Sequence, residues 1–248
     1  MRAALSTLEV VRPRTLDSAL AALAQGDGAP PVPLAGGTDL FVYLNAGTLE
    51  AGRFLDLSRL DVLRGVRATG RGITIGATTT FTDIRRHPVL RRRHPSLVAA
   101  AAEIGAVQIQ NRATLAGNIG NASPAGDSLP ALLALDARIR LASVRGARVV
   151  PFDGFYTGYR RTVVAPDELI VAIELPPPPP RARSLFRKVG TRRAQSISKV
   201  VFAGTLALDR RGRIDHVRLA WGSVAPTPVR ARGAEAALLG ARAGAAAA

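Results

Sequence analysis

Apolar residues fall along this chain in short runs broken by glycine, proline and arginine, and the spacing inside each run separates strands from helices. TLEVVRP reads as a short strand. TLDSALAALAQ brings apolar residues back at helical spacing and reads as a helix with Thr15 or Asp17 at its N-cap. PPVPLAGGTDLFVYLNAG gives a strand ending near Ala35, a glycine turn, and a helix from about Asp39. RFLDLSRL and GITIGATTTFTDI read as strands, the second with partial period-2 alternation. HPSLVAAAAEIGAVQIQNRAT begins as a helix and ends extended. DSLPALLALDARIRLAS predicts a helix from about Ser128, capped by Asp127 and tolerating Pro130 in its first turn, then a strand near residues 138–142.

DELIVAIELPPPPP ends a strand in five prolines, Pro176 to Pro180, which cannot continue a sheet and mark a domain boundary. The segment after it, from SLFRKVG to WGSV, reads as strands around a short helix. Two regions follow, residues 1–178 and residues 183–248.

Composition narrows the classes. Hydrophobic residues form 47% of 248, enough for a sizeable core. With no cysteine, the chain has no disulfide and no cysteine-held zinc or iron–sulfur site of its own, and its three histidines lack metal-ligand spacing. No run approaches a membrane span and MRAALSTLEVVRPRTL lacks the apolar core of a secretory leader, so the expected location is the cytoplasm. A net charge of +16 raises the question of nucleic acid. The arginines are scattered apart from RRHPVLRRRHP, however, and aromatics are only 4%, leaving few platforms for base stacking, so nucleic acid is not expected.

The candidate chemistry lies in two glycine-rich stretches. PLAGGTDL has two readings, a tight strand-to-helix turn or a nest in which the N–H groups of Gly36, Gly37 and Thr38 converge on one anion. TLAGNIGNASPAGDSLPAL holds almost no acid, base or nucleophile, and its glycines suit a close approach of backbone N–H groups to phosphate. Neither the G-x-G-x-x-G nor the G-x-x-x-x-G-K-[ST] fingerprint is present.

Together, AGGTDL, QIQNRATLAGNIGNASPAGDSLPALLALDA and FRKVGTRRAQSISKV resemble, in order, signatures of the FAD-carrying medium subunits of molybdenum hydroxylases, the family of carbon monoxide dehydrogenase, xanthine dehydrogenase and aldehyde oxidoreductase. The resemblance implies an α+β fold: a vanillyl-alcohol-oxidase (PCMH-type) FAD-binding domain of two subdomains, plus a small C-terminal α/β domain that looks shortened here. It places a first pyrophosphate loop on Leu34, Ala35, Gly36, Gly37, Thr38 and Asp39. A second falls on Thr114, Leu115, Ala116, Gly117 and Asn118, where Ala116 replaces a glycine of the commoner T-I-G-G-N. It also implies that Asp127 lies near the ribityl chain, that Ile170 is an apolar contact and that Lys188 touches the FAD. By themselves these three residues read as a helix cap, a core residue and a surface charge. GYRRTVVAPDELI also resembles the family, and Tyr159 within it or Tyr156 just before it would either cover the flavin ring or pack in the core.

The implied function is an oxidoreductase subunit with noncovalent FAD that takes electrons from [2Fe–2S] clusters in a small subunit, with molybdopterin in a large one, as a dimer of heterotrimers. No catalytic acid or base and no metal ligand is assigned. The alternative is a free-standing FAD-dependent oxidase or dehydrogenase. Substrate and electron acceptor are not written in the sequence.

Overall fold

Short apolar strands alternate with short helices through the first 56 residues and build a small parallel sheet. The computed structural model describes residues 8–25, 29–49, 51–192 and 194–244. The start of the stretch read as lacking a leader, Arg193 of the third motif and residues 245–248 of the alanine-rich end lie outside them. Strand β1 (Glu9–Val11) leads into helix α1 (Leu16–Ala24). A capping box closes α1: the Ser18 N–H donates to Thr15 Oγ1 and the Thr15 N–H to Ser18 Oγ, each at 3.1 Å, so Thr15 is the N-cap. Then come β2 (Val32–Leu34), α2 (Leu40–Ala46) and β3 (Arg53–Asp56). β3 lies between β1 and β2, parallel to both.

The second layer begins with β4 (Val66–Thr69) and β5 (Gly72–Gly76). Six helices then intervene: α3 (Phe81–Arg86), α4 (Pro88–Arg93), α5 (Pro95–Glu103), α6 (Val107–Gln110), α7 (Leu115–Asn121) and α8 (Ser128–Ala134). β6 (Arg138–Ser143), β7 (Gly146–Pro151), the hairpin β8 (Tyr156–Gly158) and β9 (Arg161–Thr162), and β10 (Leu169–Leu175) follow. β10 is central in an antiparallel sheet of order β4-β5-β10-β6-β7.

Three expectations are corrected here. The strand expected through residue 84 stops at Gly76, because Thr80 and Asp83 form a capping box that starts α3. The extended end expected for residues 104–114 folds as α6, and only near Thr114 does the chain form an antiparallel bridge, with Thr80. Asp127 makes no capping bond.

Beyond the prolines, β11 (Arg183–Gly190), β12 (Ser198–Leu208), β13 (Ile214–Gly222) and β14 (Val229–Arg230) form an antiparallel sheet in chain order. The short helix expected among these strands comes after them, as α9 (Arg232–Leu238). β11 packs on α5, and β12 and β13 pack on α8, all seven of whose residues are buried. One apolar cluster therefore runs from Phe81, Leu132 and Ile173 to Ala203 and Ala220 of the last sheet. Each fully buried leucine in it contributes about 2 kcal/mol. Among the described residues, no helix is long and apolar enough to cross a membrane.

Candidate functional site

Leu34 ends β2, and Ala35, Gly36, Gly37 and Thr38 carry the chain to Asp39 and α2. The two glycines answer different demands. Gly37 takes φ +76°, the left-handed region that glycine adopts without strain. Gly36 lies so close to the 112–113 backbone that a Cβ would overlap the Arg112 carbonyl oxygen. Among the described residues, the N–H groups of Gly36, Gly37 and Thr38 donate to no protein acceptor, which leaves all three free to meet an anion. Asp39 occupies the N-cap position without a capping bond, and α2 has no buried residue, with Phe41 48% and Val42 59% exposed.

The second glycine stretch is helical at its start. Thr114 caps α7, accepting from the Gly117 N–H at 3.0 Å, so residues 115–118 form a first helical turn and not a loop. The turn is held from behind: the Phe81 N–H donates to Ala113 O at 3.0 Å and the Leu115 N–H to Thr79 O at 3.3 Å. Leu115, Ala116 and Ile119 point into the core, while Gly117 and Gly120, three apart, share the exposed face. Ala116 needs no left-handed backbone, so its methyl packs inward where the commoner pattern has glycine.

Gly117 is crowded by Thr114 Oγ1, which would lie 2.9 Å from an added Cβ, whereas at Gly120 the nearest atom would be Ile170 Cδ1 at 3.8 Å, an ordinary contact. Packing within the chain therefore gives no reason for glycine at 120. A flat backbone surface beside Ile170 is what remains.

Asp127 and Lys188 come from different sheets' territories and meet. Lys188 Nζ donates to Asp127 Oδ2 at 2.7 Å and to Glu103 O at 3.1 Å. The Lys188 and Asp127 side chains are 6% and 10% exposed, so Lys188 is not a surface charge. Burial pushes the Asp127 carboxyl above the usual carboxylate range, opposed by the Lys188 ammonium. Asp127 Oδ1 is buried without a partner. An orphaned carboxylate oxygen can accept from a hydroxyl, which fits a sugar-alcohol chain. The adjacent Ser128 donates its hydroxyl to Asn118 Oδ1 at 2.7 Å.

The residues singled out in the sequence thus lie along one set of contacts: Gly36 on Arg112, Thr114 capping the α7 turn, Asn118 to Ser128, Asp127 to Lys188, and Gly120 over Ile170. Three further residues join them unannounced. Tyr43 donates its hydroxyl to Asn121 Oδ1 at 2.8 Å, and Arg160 Nη1 donates to the Tyr43 hydroxyl at 2.9 Å. Asn121 lies inside the glycine stretch and Arg160 inside GYRRTVVAPDELI, but neither residue was singled out there. Tyr156 belongs to the core: its ring meets Phe152 and Phe155 edge-on and its hydroxyl donates to Ile119 O at 3.0 Å. Tyr159 is 61% exposed.

Comparison with known proteins agrees with this arrangement. Residues 6–178 match the family model of the FAD binding domain in molybdopterin dehydrogenase, and residues 185–248 that of the CO dehydrogenase flavoprotein C-terminal domain. The xanthine dehydrogenase FAD-binding subunit of Escherichia coli O157:H7 is 38% identical over 226 residues, 90% of this chain and 76% of that one. The nicotinate dehydrogenase FAD-subunit of Eubacterium barkeri is 33% identical over 236 residues, covering 94% and 80%. A solved structure of carbon monoxide dehydrogenase from Hydrogenophaga pseudoflava superposes with a TM-score of 0.91 at 32% identity, covering 97% of this chain and 83% of that chain. The expected PCMH-type FAD-binding fold with a small C-terminal domain is thereby shown, and the chain belongs to the FAD-binding medium subunits of the molybdenum hydroxylase family.

Proposed function

We propose that this chain is the FAD-carrying electron-transfer subunit of a multi-subunit, molybdenum-containing dehydrogenase. The observation that carries the reading is the single connected face on which free backbone donors, a side-chain-free helix surface and a half-satisfied buried carboxylate come together.

Leu34, Ala35, Gly36, Gly37, Thr38 and Asp39, with Thr114, Leu115, Ala116, Gly117 and Asn118, would hold the pyrophosphate through backbone N–H groups. Two such segments at one place favour negative charge without a lysine or arginine clamp. Asp127 would accept from the ribityl chain, held in position by Lys188, and Ile170 would supply an apolar contact. FAD held there would supply electron transfer from [2Fe–2S] clusters to an external acceptor. The protein's own task is to hold, orient and shield. No side chain at this face is assigned as a catalytic acid or base.

The cysteine-free chain requires that iron–sulfur ligation reside in another subunit. We place it with an iron–sulfur small subunit and a molybdopterin large subunit, in a dimer of heterotrimers in the cytoplasm. We assign residues 1–178 to the FAD-binding domain, with subdomains of about 1–55 and 56–178, and 183–248 to the C-terminal domain.

Purification through a tag on this chain, co-expressed with its neighbouring genes, is expected to yield three subunits with iron, molybdenum and FAD, and acid precipitation to release the flavin into the supernatant. Flavin retained by the precipitate would refute noncovalent binding. Full reduction of the flavin by an organic substrate in the chain purified alone would instead establish a free-standing enzyme.

A further inference from the structure

A concavity of about 480 Å³ opens where α4, the proline-rich connection and β11 meet. Four arginines line it, Arg92, Arg93, Arg181 and Arg183. Among the described residues none of the four is paired with a carboxylate, whereas Arg148, Arg218 and Arg230 each are. Of the four, Arg93 donates from Nη1 to Thr69 O at 3.5 Å; four like charges around one hollow repel one another, and an anion entering it offsets that repulsion by attracting each of them.

Two further observations concern residues that line the same hollow. Thr205 lines it, is 4% exposed, and has a hydroxyl without a hydrogen-bond partner. A buried hydroxyl left unpaired in a native fold calls for a partner. Arg181 stands at φ +59° in a turn closed by the Ala182 N–H donating to Pro179 O at 3.0 Å. That position suits glycine or asparagine, so a long cationic side chain occupies it against the backbone's preference.

We propose that this pocket binds a small organic phosphate. Guanidinium groups match phosphate oxygens in paired hydrogen bonds, and several of them select a multiply charged group over a single carboxylate. Pro178, Pro179 and Leu135 add an apolar wall that suits the organic part of such a ligand, and the volume is that of a small-molecule site. The pocket shares no residue with the flavin face. Ser184, which lines it, stands four residues before Lys188 on β11, roughly 13 Å by the rise of a strand.

The test is calorimetric titration of the full chain with ADP in the presence of excess FAD, which keeps the flavin face filled. One ADP per chain is expected, bound more tightly than inorganic pyrophosphate and weakened by added salt. Arg93→Gln/Arg183→Gln and, separately, Arg92→Gln/Arg181→Gln should each weaken ADP at least tenfold, and Thr205→Val several-fold, with flavin content and melting temperature unchanged. Absence of ADP binding, ADP affinity in both double variants equal to that of the unaltered chain, or displacement of FAD by ADP would overturn the proposal. Equal affinity for ADP and pyrophosphate would overturn the organic class. Loss of partner subunits from the double variants, with no ADP bound by the unaltered chain, would overturn it in favour of an acidic protein surface.

Discussion

Gly37 and Gly120 differ in what a substitution would report. At Gly37, φ is +76° and a Cβ would lie 3.0 Å from the Phe41 ring, so valine there strains the fold by about 1–3 kcal/mol whether or not a ligand binds. Gly120 sits in α7 with no obstruction from the chain. Gly120→Leu should therefore fold with equal or slightly higher stability, since a helical glycine costs about 1 kcal/mol, yet bind FAD at least tenfold more weakly by flavin titration. Retained affinity would remove the outward face of α7 from the flavin site. His94 reports on pH. It is 1% exposed with neither ring nitrogen partnered, and burial, helped by Arg93, pushes it down to about 4. Between pH 6.5 and 4 the unfolded chain takes up a proton that the folded chain refuses, so stability is lost as pH falls through that window, by up to roughly 3 kcal/mol. His94→Leu should flatten this part of the curve of denaturation midpoint against pH. An unchanged slope would mean that the imidazole charges in place.

At the scale of elements, α7 shows where a sequence can be read and where it cannot. Thr114 and Gly117 stand at the spacing of an N-cap and its third residue, a signal present in the letters, but two glycines in seven residues lower helix propensity enough to favour a loop. Burial of Leu115, Ala116 and Ile119 overrides that local preference. Thr80 and Asp83 hid a helix start in the same way behind an alternating strand pattern. The strands β1, β2, β3 and β6 and the strand into the prolines were legible from their apolar runs, whereas β4 and β7, the outer strands of the antiparallel sheet, were not read at all. What no local pattern could show were the long-range meetings: Asp127 with Lys188 is 61 residues apart in the chain, and Arg160 with Tyr43 is 117. Family resemblance named Asp127 and Lys188, but only the fold shows that they neutralise each other. Thr114→Ala removes the cap and should cost about 1 kcal/mol in chemical denaturation. Because the freed Gly117 N–H lies on the candidate pyrophosphate turn, FAD affinity should change along with stability; loss of stability alone would confine Thr114 to a structural role.

At the scale of the whole molecule, the C-terminal sheet supplies Lys188, one member of the buried pair that we propose lies beneath the flavin, so in that reading the seating of the sheet on α8 sets the site. The seating is close. A Cβ on Gly222, at the end of β13, would lie 2.7 Å from Pro130 Cγ of α8, and the neighbouring Ser223 N–H donates to Pro124 O at 3.0 Å. Lys188 reaches Asp127 from β11 of the same sheet. Displacing the sheet by a fraction of an ångström therefore strains a packed interface and loosens an ion pair whose unpaired members would be costly. Gly222→Ala should destabilise the chain by about 1–3 kcal/mol, the usual cost of overpacking, and lower FAD affinity in the protein that remains folded. Gly233→Ala, in α9 where an added Cβ meets nothing within 4 Å, is the matched control and should be neutral or gain up to about 1 kcal/mol. Thermal melts with and without FAD separate the two effects: if docking and site are coupled, FAD raises the melting temperature of the Gly222 variant less than that of the control. An equal increase in both would show that the flavin face keeps its geometry when the sheet shifts.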